Sequence, residues 1–200
     1  MTNEKEWILI TDNLYLAQGI KMFFPGLNFF HLRFIDLQSF TKITSHHLET
    51  ILLVDSQIML SPVMDDFMRF HKMNEKLYII WLAHQSTGRL WPSKSNIHCF
   101  ISQKTSVYLF EIYLIRAFQD FYRSNFTTVF TPKLTRMEKK ILPYFVFGLS
   151  MNVIAGLFKI SNKTVYIHRY NIVNKLGFTS SSTMCALLWK NRNFIDWNRQ

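Results

Sequence analysis

Only two cysteines, Cys99 and Cys185, occur in 200 residues. They fall in segments of different character, so no structural disulfide is expected and a reducing compartment is. Uncharged apolar runs of about 18 residues are missing, and the first seven residues are polar and partly acidic. Neither a membrane span nor a secretory leader is therefore expected, and the chain is placed in the cytoplasm with no membrane partner. Gly-rich phosphate loops, nucleophile elbows and metal quartets are also missing, which points away from an enzyme, catalytic residues, a metal or a cofactor. Seven scattered histidines do not change this. The neighbours His46/His47 and His98/Cys99 diverge on a strand or a helix alike. Internal repeats and low-complexity tracts are absent too.

What is present is apolar mass and lopsided charge. An apolar content of 48% can bury one respectable core and a smaller one, so two domains are expected. Aromatics make up 16%, mostly Phe, and surplus exposed rings signal a partner surface. From Pro132 onward eleven Lys and Arg face two acids, Glu138 and Asp196, a net +9; the first 131 residues carry twelve against eleven, a net +1. Counterion release from a polyphosphate rewards such a basic tail. Acidic membranes reward it too, so charge alone does not decide.

Apolar runs at Trp7–Ile10, Ile51–Val54, Leu77–Leu82 and Ile97–Ile101, with a weaker one at Phe29–Phe34, read as strands buried on both faces. Helical stretches lie between them at Leu14–Phe24, Pro62–Met73 and Ser106–Tyr122. Alternation of this kind predicts a five-stranded parallel sheet in an α/β domain over residues 1–125. Functional side chains then belong at the carboxyl ends of the strands, where Asp12 and Asp55 stand.

The stretch Ile8-Leu9-Ile10-Thr11-Asp12-Asn13 and the strand Leu52-Leu53-Val54-Asp55 resemble the acidic pair and the phosphoacceptor strand of response-regulator receiver domains, which have a flavodoxin-like fold. In that family two acids hold magnesium, a third carboxylate attacks phosphorus, and a hydroxyl and a lysine grip the phosphoryl group. Here Thr11 stands for the first acid, Leu82 for the hydroxyl residue and Gln103 for the lysine, with Lys104 one place off. Asp12 and Asp55 thus make a vestigial pocket. Asp55 is a leftover carboxylate, a disfavoured phosphoacceptor, or a ligand site of another kind.

Phe126–Pro132 has turn chemistry and is assigned as a linker, leaving residues 133–200 as an all-α domain. Thr135 three residues before Glu138 is a capping box; Ile141, Leu142, Phe145 and Val146 follow at helical spacing, and Gly148 suits a left-handed stop. Pro143 predicts a kink. Ser150 caps a second helix carrying Ile154, Ala155, Leu157 and Phe158; after a tight turn at 158–160, Ser161 caps a third that ends near Leu176, with Gly177 as stop. On that third helix Val165, His168, Ile172 and Leu176 share one stripe, while Lys163, Tyr166, Ile167, Tyr170 and Asn174 share another. The second stripe has the size and chemistry for base edges in a major groove. Lys159, Arg169 and Lys175 flank it within reach of phosphates. The alternative is a solvated helix face.

Leu134-Thr135, Glu138, Ile141-Leu142, Gly148-Leu149-Ser150, Ile154-Ala155, Leu157, Ile160-Ser161, Thr164-Val165, His168, Asn171-Ile172 and Lys175-Leu176-Gly177 together resemble the LuxR-type helix-turn-helix of two-domain regulators of the FixJ and NarL kind. The resemblance implies base contacts from the positions of Tyr166, Ile167 and Tyr170 and phosphate contacts from those of Thr164, Arg169 and Lys175. His168 is read as packed or phosphate-bonding. A further helix, Thr183–Lys190, is implied as a dimer contact, alone or with the receiver-like domain. Tyr166 in place of the usual lysine, Met137 in place of arginine and Met151-Asn152-Val153 in place of a polar triplet imply an altered DNA preference.

The expected function is a bacterial regulator that binds double-stranded promoter DNA as a dimer, independently of phosphorylation. The resemblance extends this to control of surface structures such as fimbriae. Two alternatives stand beside it: an interaction protein that forms heterodimers with another regulator or sequesters it, and a phospho-switch that uses Asp55.

Overall fold

A computed structural model describes residues 6–27, 29–37, 50–73, 77–90, 97–123 and 134–193. The linker expected at 126–132 lies outside them, as do His46 and His47. The chain divides into two compact units, one of residues 1–84 and 95–130, the other of 85–94 and 131–200.

In the first unit strands β1 (Glu6–Ile10), β2 (Phe29–Leu32), β3 (Thr50–Asp55), β4 (Tyr78–Ala83) and β5 (Ile97–Ser102) form one sheet in the order β2-β1-β3-β4-β5, with every pairing parallel. All residues of β3 and β4 are buried, which is why their sequences run apolar without alternation. On one face Leu9, Leu53, Ile80 and Ile101 pack with Ala17 and Ile20 of helix α1 (Leu14–Phe23) and with Leu114 and Ala117 of helix α3 (Val107–Arg123). Each Leu or Ile among them contributes about 1.5–3 kcal/mol by leaving water.

Two boundaries differ from expectation. The weak run at Phe29–Phe34 leaves the sheet after Leu32, because residues 34–36 turn into a short 3-10 segment whose leading Phe34 N–H donates to Asp12 Oδ1 at 2.8 Å. Helix α2 (Met64–Met73) begins two residues beyond Pro62, where Ser61 Oγ accepts from Val63 N. Parallel order brings the carboxyl ends of β1, β3 and β5 together, so Thr11, Asp55 and Gln103 meet although they are far apart in sequence.

The second unit holds α4 (Arg136–Val146), α5 (Met151–Phe158), α6 (Asn162–Lys175) and α7 (Ser181–Lys190). Residues 85–94 count with it: the Arg89 N–H donates to the carbonyl of Leu176, at the end of α6, at 2.6 Å. The capping box at α4 is complete, with Glu138 N donating to Thr135 Oγ1 at 3.2 Å and Thr135 N to Glu138 Oε2 at 2.7 Å. Pro143 does not end α4; Phe147 N donates to the Pro143 carbonyl, so backbone bonding resumes within a turn. Gly148 (φ 79°) and Gly177 (φ 73°) close α4 and α6 with paired bonds back into the last turn, a backbone shape that side chains with a Cβ resist.

Ile141, Leu142, Ile154, Val165, Ile172, Leu176, Met184 and Leu188 form the centre of the unit's core. Leu157 is 58% exposed. At about 100° per residue it sits roughly 110° away from the direction of Ile154 and Ala155, whereas Phe158 returns to their side. There its ring meets Tyr144 edge-on at 5.4 Å. Helix α7 begins at Ser181, ahead of the expected Thr183, because Ser180 is the cap and accepts from Thr183 N at 3.1 Å.

One ion pair ties the ends of this unit together. Lys175 Nζ, in the last turn of α6, donates to Glu138 Oε1 at 3.0 Å and Oε2 at 2.8 Å, while the Glu138 side chain is almost wholly buried. Burial pushes the Glu138 carboxyl up, but the Lys175 ammonium and the Thr135 donors outweigh it and hold it below the usual carboxylate range. Replacing Lys175 with Ala strands that carboxylate. The cost is expected to be about 2 kcal/mol, below the range for fully buried pairs because the lysine is partly exposed. A depressed carboxyl stabilises above its unfolded value of about 4.3 and stops doing so as pH falls through its folded one. Urea midpoints of wild type and Glu138→Gln should therefore differ at neutral pH and converge on acidification.

Candidate nucleic-acid interface and the Asp55 pocket

Helix α6 is held at its start as well as at its end. Ser161 Oγ accepts from Thr164 N at 3.1 Å and bonds Thr164 Oγ1 at 2.8 Å, and Asn162 Nδ2 donates to Asn152 Oδ1 on α5 at 2.6 Å. The turn between α5 and α6 passes through Lys159 at φ 53°, ψ 44°. A left-handed conformation costs a residue with a Cβ about 1 kcal/mol.

Lys163, Tyr166, Ile167, Tyr170 and Asn174 all lie on the exposed side of α6, with Tyr166 at 53% and Tyr170 at 60%. Large exposed rings at helical spacing, opposite a stripe of buried Val165, Ile172 and Leu176, make a two-faced helix. The flanking residues are placed less uniformly. Lys159 is exposed in the turn, whereas Thr164, His168 and Arg169 are half-buried. The Arg169 guanidinium lies over the Tyr166 ring at 5.8 Å. It also lies near Cys185 on α7, where burial pushes the thiol up and the guanidinium opposes it. Lys175 is committed to Glu138, so its expected phosphate contact meets a competitor inside the protein.

Sequence reasoning missed the Glu138–Lys175 pair and the Asn152–Asn162 tie. The first links residues 37 apart and leaves no spacing signal. Also unforeseen is an aromatic ledge where Phe147, 59% exposed, meets Trp189, 45% exposed, edge-on at 5.6 Å, with Arg192 over the Trp189 ring at 4.4 Å.

In the first unit Asp55 is fully buried, and each carboxylate oxygen is engaged. Oδ1 accepts from Gln57 N at 3.0 Å and from Gln103 Nε2 at 2.8 Å; Oδ2 accepts from Thr11 Oγ1 at 2.8 Å. Gln103 Nε2 also reaches the Leu82 carbonyl at 3.2 Å. The residues standing where the receiver family has an acid and a lysine are thus the donors that satisfy Asp55. Asp12 is exposed and accepts from Phe34 N, so it faces away from this network. Among the described residues no three His, Cys, Asp or Glu side chains gather as a metal site.

Residues 132–187 match the family of bacterial regulatory proteins of the luxR type. The transcriptional regulatory protein EntR of Citrobacter freundii is 30% identical over 100 residues, 50% of each chain, so the chain matches about half the length of that curated relative. Two solved structures share the fold across both units. One, of two RcsB dimers bound to two parallel DNAs, is 16% identical with a TM-score of 0.58, covering 94% of this chain and 99% of the other. The other, RcsB of Salmonella enterica serovar Typhimurium on promoter rprA with a phosphomimetic, is 16% identical with a TM-score of 0.54, covering 92% and 98%. The first unit therefore has a receiver-like fold and the second a LuxR-type helix-turn-helix.

Replacing Asp55 with Asn keeps an acceptor for Gln57 and Gln103 and lets the Thr11 hydroxyl turn to accept, so the urea midpoint should barely move. Asp55→Leu leaves the Gln57 N–H and the Thr11 hydroxyl without this acceptor and Gln103 with the Leu82 carbonyl alone, and should cost about 3 kcal/mol in the same measurement. Equal losses in the two variants would refute this account of the pocket.

Proposed function

From residues 132–187, which match the luxR family of bacterial regulatory proteins, we propose that the protein is a transcription regulator that lays α6 in the major groove of promoter DNA. The observation that carries this is the exposed face of Lys163, Tyr166, Ile167, Tyr170 and Asn174 on a helix pinned at both ends. A groove about 12 Å wide accepts one helix; Lys163 and Asn174 supply hydrogen-bond donors, Tyr166 and Tyr170 supply hydroxyls and rings, and Ile167 meets thymine methyls. Lys159, Thr164, His168 and Arg169 contact phosphates and set the register, joined by Lys175 where a phosphate draws it from Glu138. Tyr166 in place of a cation shifts recognition from charge toward shape and apolar contact.

The protein acts as a dimer, and the ledge of Phe147 and Trp189 beside α7 is the surface we assign to it. Among the described residues no helix is long and apolar enough to cross a membrane. Regulation is independent of phosphorylation, because a phosphoryl group on Asp55 would displace Thr11 or Gln103 from a buried carboxylate that they satisfy. On resemblance alone, the genes controlled are those for surface structures such as fimbriae. A heterodimer with another regulator is a second reading, favoured by the apolar side chains that α1 exposes, Tyr15 at 88% and Met22 at 83%.

Titration of labelled duplex should show affinity falling steeply from low to moderate salt. Lys159→Ala should lower the slope by about 1 on any sequence. Tyr170→Ala should cost about 1–3 kcal/mol on the bound promoter and little on mixed-sequence DNA, and Asp55→Asn should change neither. A flat salt response, or binding that appears only after a second regulator is added, would sink the homodimeric regulator.

A further inference from the structure

Beside the exposed face of α6 lies a hollow of about 190 Å³. Tyr166, Arg169, Tyr170 and Asn174 form one wall, and Thr179 and Ser181, at the entry to α7, form the other. Taking α6 as the helix that meets DNA, we infer that this hollow seats a backbone phosphate of the same duplex, with the Thr179 and Ser181 hydroxyls as neutral donors beside the Arg169 guanidinium.

The volume is several times the ~30 Å³ share of a water molecule, enough for a phosphodiester group. Tyr166, Tyr170 and Asn174 of its lining also belong to the exposed face of α6 assigned to the groove. A helix lying in a major groove has a phosphate strand along each flank. One flank of α6 is this hollow. None of the residues lining it is acidic, and its one cation is held in place over the Tyr166 ring. Ser180 is not counted as a donor, because its hydroxyl is already bonded to Thr183 as the cap of α7. Charge reading passes over this segment, since residues 177–189 contain no Lys or Arg.

Neutral donors have a signature that cations lack: they add affinity without releasing counterions. Backbone contacts are also indifferent to sequence, so a short labelled duplex of mixed sequence serves as probe for the full-length protein. Thr179→Ala combined with Ser181→Ala should weaken binding about three- to tenfold at fixed salt and leave the salt slope at the wild-type value. Arg169→Ala should lower that slope by about 1. The hydroxyl-keeping exchange of Thr179→Ser with Ser181→Thr should bind as wild type, which separates lost donors from a disturbed α7. Wild-type affinity in the double alanine variant overturns the phosphate seat, and so does an exchange variant as weak as the alanine one. Failure of the wild-type protein to bind the duplex would instead remove the regulator reading on which the seat rests.

Discussion

The carboxylate of Glu138 is the point on which the helical unit turns. Its Oε2 accepts from Thr135 N in the capping box that starts α4, and both of its oxygens hold the Lys175 ammonium in the last turn of α6. A buried carboxylate is costly to strand, so the first turn of one helix and the last turn of another cannot part without exposing an unpaired charge. At the other end of α6 the Ser161 cap and the Asn162–Asn152 bond do the same with neutral groups. Between these anchors the buried stripe of Val165, Ile172 and Leu176 sets the rotation of the helix, and its exposed side chains follow from that rotation.

The receiver-like unit shows how a buried polar site is kept structurally sound. A buried carboxylate without partners would be a liability at the end of a central strand. Thr11 and Gln103 remove that liability by donating to both oxygens, with Gln57 N as a third donor. Neither brings the second negative charge that a hard cation asks for, nor the ammonium that would steady a phosphoryl group. Retaining Asp55 is then explained by hydrogen bonding within the fold.

Much of this was legible before any coordinates. The five strands and their helices follow from apolar runs of strand length alternating with helical periods, and the parallel order from that alternation. Capping pairs at Thr135, Ser150 and Ser161 and the glycines at 148 and 177 mark helix ends through local chemistry alone. A two-turn helix such as α5 offers too few residues to define its buried direction, so the exposure of Leu157 is not legible from spacing. The resemblance implies a helix from Thr183, and the run of serines ahead of it offers several caps, of which the backbone picks Ser180.

The sequence by itself determined the elements, their caps, the basic tail and the exposed stripe of α6, since all of these depend on residues a few positions apart. The tertiary structure alone decided that Lys175 serves Glu138, that Asp55 is closed by Thr11 and Gln103, and that Thr179 and Ser181 share a hollow with Arg169. The first two pairings join side chains at least 37 positions apart, and the hollow forms where two helices converge. Such meetings depend on how packed elements bring distant side chains within bonding distance, and no spacing along the chain encodes that distance.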